Sequence, residues 1–69
     1  MTKYIAPPEV CDVCKSPITD KFVDGSLRTY CGQWANVCIP CHEKHGSGLG
    51  TGRGQLYQRQ GEDFVKIEG

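Results

Sequence analysis

The chain has 69 residues, 38% apolar and 9% aromatic, with eight basic side chains against eight acidic ones and a net charge of zero. Ordering it costs on the order of 100 kcal/mol, at roughly 1.5 kcal/mol per residue, which so thin a core barely offsets without a staple. These figures exclude a two-lobed enzyme with a cleft between lobes, a strongly basic nucleic-acid sponge and an acidic tail, while leaving room for a local charged patch.

Residues 1–9 read as an N-terminal extension. Its few apolar residues fall short of a signal-peptide core, and Pro7-Pro8 interrupts them. No segment approaches the roughly 18 apolar residues of a membrane span. The expectation is a cytoplasmic protein with no membrane partner, in a compartment that keeps thiols reduced. Five cysteines would also leave one thiol over in any full disulfide pairing.

Residues 10–46 read as the metal-binding core. Cys11-Asp12-Val13-Cys14 is a C-x-x-C pair flanked by Val10, Lys15, Ser16 and Pro17, which suits a knuckle-like turn. Lys21–Val23 and Leu27–Tyr30 then flank Asp24-Gly25, a hairpin-turn dipeptide. Trp34–Val37 forms a further extended piece, with Trp34 expected as a core anchor against the metal site because aromatics are scarce. The alternative for Trp34 is a base-stacking or protein-binding surface. Cys38-Ile39-Pro40-Cys41 is the second pair. Pro40 fits a first helical turn, His42–His45 can continue it, and Gly46 can end it.

Residues 47–55 read as a Gly-rich loop with glycine at alternate positions from Gly46 to Gly54. It matches neither a P-loop nor a dinucleotide fingerprint. Two readings stay open: a flexible connector, or a loop whose N–H groups and Arg53 hold an anion. Residues 56–69 read as a C-terminal β-hairpin, with Leu56–Arg59 and Phe64–Ile67 flanking a turn that contains Gly61.

The two C-x-x-C pairs, separated by residues 15–37, match four-cysteine zinc spacing. Two intervening residues let one tight turn present both sulfurs to a single tetrahedral ion. Cys11, Cys14, Cys38 and Cys41 are therefore the expected ligands of one structural Zn²⁺, with iron the alternative because thiolate tetrahedra also hold it. Cys31 is the spare, read as a small residue near a turn. His42 and His45 are expected to pack or hydrogen-bond around the ligands, and His45 is the better substitute ligand of the two.

Knuckle, hairpin and a short helix carrying the second pair form the order of parts in a treble clef. The fold class expected is a small zinc-stabilised α+β domain, treble-clef-like, with a C-terminal β-hairpin. The run Trp34-Ala35-Asn36-Val37-Cys38-Ile39-Pro40-Cys41-His42, then His45-Gly46 and Gly48–Gln55, resembles small uncharacterised treble-clef zinc-finger proteins of tailed bacteriophages and prophages. Cys11–Cys14 and Pro17–Asp20 look similar too, and the likeness spans residues 10 to 67. It implies a phage-encoded protein acting in the bacterial host's cytoplasm, and no particular activity.

Three functions are compatible with these residues. A non-enzymatic module docking on a host or phage protein would use exposed positions such as Arg53, Tyr57 and Arg59. A nucleic-acid-binding finger would align Arg28, Lys44, Arg53 and Arg59 along phosphates, with Tyr57 or Trp34 stacking on a base. A degenerate His-Asn-His-type nuclease is suggested by Asn36 before and His42 after the second pair, but no histidine stands upstream as general base. The expectation is a protein-binding module, not an enzyme, with no small-molecule substrate.

Overall fold

The computed structural model describes residues 3, 4 and 6–69; positions 1, 2 and 5 of the N-terminal extension lie outside the described residues. It shows a small α+β domain. Strand β1 is Lys21–Leu27, followed by a 3₁₀ turn at Arg28–Tyr30, β2 at Gln33–Val37, helix α1 at Ile39–His45, β3 at Gly54–Gln60 and β4 at Asp63–Glu68. The four strands form one antiparallel sheet in the order β2-β1-β3-β4.

The sheet buries both faces, and strand alternation decides which residues go where. Phe22 and Val23 are neighbours in β1, both fully enclosed, yet they point to opposite sides. Val23 joins Cys11, Leu27, Val37 and Cys41 in one core, with Val13, Ala35, Cys38, Ile39, Leu49 and Leu56 packed around it. Phe22 joins Ile18, Tyr57 and Phe64 in the other, covered by Tyr4. The N-terminal segment reaches that second face by donating the N–H of Tyr4 to the carbonyl of Phe64 at 2.8 Å.

Asp24-Gly25 is not a turn. Both lie inside β1, and the chain reverses four residues later through the 3₁₀ turn and Cys31-Gly32, whose φ angles are 57° and 77°. Gly25 instead permits close approach. It pairs with Gly54 of β3, and a Cβ on it would stand 3.2 Å from the Arg53 carbonyl and 3.4 Å from the Gly54 Cα. The β3–β4 hairpin turns at Gly61-Glu62, with Gln60 opposite Asp63 and a φ of 68° at Gly61. Glycine at the first position of a two-residue loop admits that geometry.

Trp34 is not a core anchor: it is 50% exposed on β2. The aromatic core is assembled from Tyr4, Phe22, Tyr57 and Phe64 instead.

Candidate metal centre

The first cysteine pair sits on a knuckle closed by a Val10–Pro17 bridge, with the Cys11 N–H donating to Ser16 O at 2.9 Å and the Lys15 N–H to Cys11 O at 3.0 Å. Lys15 takes a left-handed φ of 65° to complete it. The second pair is delivered by β2, which runs into Cys38 at the N-cap of α1; Pro40 lies in the first turn and Cys41 follows it. Helix and strand are thus joined at a ligand.

Two hydrogen bonds clamp the halves together. The Asp12 N–H donates to Asn36 O at 2.9 Å, and the Asn36 N–H donates to Asp12 Oδ2 at 2.9 Å. Asp12 lies between the first two cysteines and Asn36 two residues before the third, so this exchange fixes the spacing between pairs. The sequence reading gave Asp12 no role. No side-chain pattern in the sequence marks it, because the contact uses the backbone N–H and C=O of Asn36.

The result is convergence. The sulfurs of Cys11, Cys14, Cys38 and Cys41 all lie within 4.8 Å of one another, and those of Cys14 and Cys38 are 3.6 Å apart. A cluster of four sulfurs at this separation can hold one metal ion. Its two sides differ in access: Cys11 is fully enclosed and Cys41 nearly so, whereas Cys14 is exposed and Cys38 half-buried.

Electrostatics separate the four thiols. At Cys14 the hydroxyl and then the backbone N–H of Ser16 pull the pKa from 9.0 down to about 6, with Cys38 and Cys41 adding to the effect. At Cys11 burial pushes upward, but the N–H groups of Cys14, Cys38 and Val13 outweigh it and leave the thiol lowered. Val13 and Cys14 stand 3.4 and 3.5 Å from that sulfur. Cys38 is raised, chiefly by burial. Cys41 is raised further, by burial and then by the sulfurs of Cys38, Cys14 and Cys11. Such crowding opposes ionisation of the last thiol, and a divalent cation removes that opposition.

The histidines do not support the ligands as expected. His42 Nε2 lies 3.1 Å from Gly48 O and ties down the Gly-rich segment, while His45 Nδ1 lies 2.7 Å from Thr29 Oγ1 with its ring edge-on to Tyr30. Cys31 stands outside the cluster, exposed.

The suggested contact residues are also redistributed. Tyr57 is 8% exposed, stacked 5.2 Å from Phe22, and so offers no surface. Arg59 is exposed, but its Nε donates to Thr19 O at 2.6 Å and its guanidinium lies 4.8 Å above the Phe64 ring. Arg53 is exposed and lies against Gly50. Arg28 donates to Lys44 O at 3.3 Å. Arg28 follows the last residue of β1, whereas Arg59 follows the partner of its first residue. At roughly 3.3 Å per residue they stand on the order of 20 Å apart.

Comparison with protein-family models, with curated proteins and with solved structures finds no match. Among the described residues no helix is long and apolar enough to cross a membrane.

Proposed function

We propose that the chain is a non-enzymatic binding module in which one structural Zn²⁺, held by Cys11, Cys14, Cys38 and Cys41, fixes a treble-clef-like scaffold that docks on a host or phage protein in the bacterial cytoplasm. The observation that carries this reading is the gathering of four sulfurs from two distant stretches within 4.8 Å of one another. Zinc prefers four ligands in a tetrahedron, and two C-x-x-C turns supply them without requiring one d-electron geometry. Four thiolates also close the coordination sphere, leaving no position for a reactive water, which favours structure over catalysis.

The order of knuckle, β1–β2 hairpin and a helix bearing the second pair supports the treble-clef description. The phage assignment rests on the residue likeness over residues 10 to 67, most specific over Trp34–Gln55. The nuclease reading loses ground because Asn36 is occupied by Asp12 and by the Tyr4 hydroxyl, and His42 by Gly48. The docking reading needs no catalytic group, and it leaves the exposed rings of Trp34 and Tyr30 a purpose.

Elemental analysis of freshly purified protein tests the metal. One equivalent of zinc is expected, and Co²⁺ substitution should give the intense visible absorption of a tetrahedral thiolate site. Less than half an equivalent of any transition metal in a folded protein would overturn the reading, and an equivalent of iron would correct its ion.

A further inference from the structure

Strand β2 is a free edge of the sheet, and the bonds around it reveal which backbone groups face outward. Asn36 spends its N–H and C=O on Asp12, so in the pair Asp24–Asn36 the backbone groups point away from each other. Antiparallel ladders alternate, so the pair two residues along, Ser26–Trp34, has the same orientation. The Ser26 N–H accordingly donates to Arg53 O, on the far side of β1. The N–H and C=O of Trp34 therefore point out from the uncovered edge, just beyond the stretch that Asp12 occupies.

Beside them lies a cavity of about 340 Å³ between β2 and the knuckle, bounded by Trp34, Tyr30, Leu27, Val13 and Ala35, with Asp12 its one charged wall. Trp34 and Tyr30 are 50% and 46% exposed, the two most exposed large apolar side chains of the described residues. No lysine or arginine lines the space. A loaded tetrathiolate would spread a formal charge of −2 over Cys11, Cys14, Cys38 and Cys41, the first two of which bracket Asp12 in sequence. Two electron-rich ring faces, a carboxylate and a nearby anionic cluster attract a cation and repel phosphate.

We propose that this cavity takes a basic side chain of an extended peptide segment that adds to the edge of β2 at Trp34, with the rings of Trp34 and Tyr30 and the carboxylate of Asp12 receiving its cation. This gives the docking module a partner chemistry, and it rests on the metal-held scaffold argued above. Main-chain pairing with Trp34 supplies the generic part of such recognition, and the cation site supplies the choice of side chain.

The test uses the metal-loaded, isotope-labelled chain and the capped pentapeptide Thr-Val-Arg-Val-Thr, read by amide chemical shifts and by the emission of the single tryptophan. Saturable shifts centred on Trp34, Tyr30 and Asp12 are expected. Replacing the peptide's arginine by citrulline, which keeps the shape and removes the charge, should weaken binding about tenfold. Trp34→Leu, outside the sulfur cluster, removes one ring face and should weaken binding, read by the amide shifts, about fivefold at unchanged metal content.

No shift at Trp34 in the loaded, folded chain would overturn the proposal, as would equal binding of the citrulline peptide. Tighter binding of an oligonucleotide at the same amides would also overturn it, as would Trp34 shifts that track protein concentration, which would assign the edge to a second copy. Absence of metal, by contrast, would defeat the scaffold reading before any peptide is added. A protein partner captured on another face would leave docking standing and defeat only this site.

Discussion

The two faces of the sheet are held by different physics. On one, Phe22, Tyr57, Phe64 and Tyr4 interlock with ring centroids 5.0–5.2 Å apart, three of the contacts edge-on and one stacked. That face gains its free energy from aromatic area and ring geometry, and it needs nothing from outside the chain. On the other, Val23, Leu27 and Val37 carry no ring, and two of the five enclosed residues are Cys11 and Cys41 of the sulfur cluster. There a metal held by the four sulfurs would be part of the core. With a cation in the sulfur cluster, as proposed above, that face of a 69-residue chain would draw on metal–thiolate bonds where the other draws on aromatic area.

Removing that ion should therefore do the most damage. Structural zinc contributes an apparent binding free energy of about 10–16 kcal/mol, comparable to or above the whole stability of a typical domain. Chelation should abolish strand and helix circular dichroism in one transition, and Cys11→Ser should reproduce it. Cys31→Ser, outside the cluster, should not. If the chelated chain kept its cooperative melt, the sulfur face would be self-sufficient and the contrast would collapse. Phe22→Ala attacks the other face and should cost about 3–5 kcal/mol in denaturant unfolding. It should nonetheless leave one equivalent of metal bound at low temperature.

How much of this contrast could be read from the sequence depends on how local each cause is. The cysteine pairs were legible because ligand chemistry needs only two residues of spacing, and the turn at Gly61 because glycine begins a two-residue loop there. Asp24-Gly25 misled because the same glycine signal marks a turn and a close approach, and only Gly54, far along the chain, decides between them. The distribution of aromatics was hidden for a related reason. Phe22-Val23 reads as one apolar run until the strand is known to be covered on both sides, and Trp34 falls on an edge strand where the same alternation leaves it outside. The Asp12–Asn36 clamp joins residues 24 apart and carries no short-range pattern.

Proton competition sharpens the comparison at the site itself. Cys14 has its folded-state pKa lowered from 9.0 to about 6, first by Ser16. Its thiolate contribution is therefore complete above pH 9 and is lost as pH falls through about 6. Ser16→Ala removes the hydroxyl that is the largest single cause of this, so protons should displace the metal at higher pH. The midpoint of acid-induced release, followed with a chromophoric chelator, should rise by about half a pH unit. A variant whose metal and circular dichroism midpoints separate would show that the face can lose its ion before it loses its fold.

The smallest effect tests whether the faces are independent at all. Asn36 touches both: its backbone holds the knuckle through Asp12, and its Oδ1 accepts the Tyr4 hydroxyl at 3.1 Å. Tyr4→Phe keeps the ring over Phe22 and Tyr57 and deletes that one bond. A part-buried hydrogen bond contributes about 0.5–1.5 kcal/mol, so unfolding should shift by about that amount. Metal affinity, measured by competition, should move less than about twofold, because the Asp12–Asn36 exchange is made by backbone and carboxylate groups that the substitution leaves in place. A tenfold loss of affinity would mean that the aromatic face positions the ligands through Asn36, and the two halves of the core would then have to be treated as one.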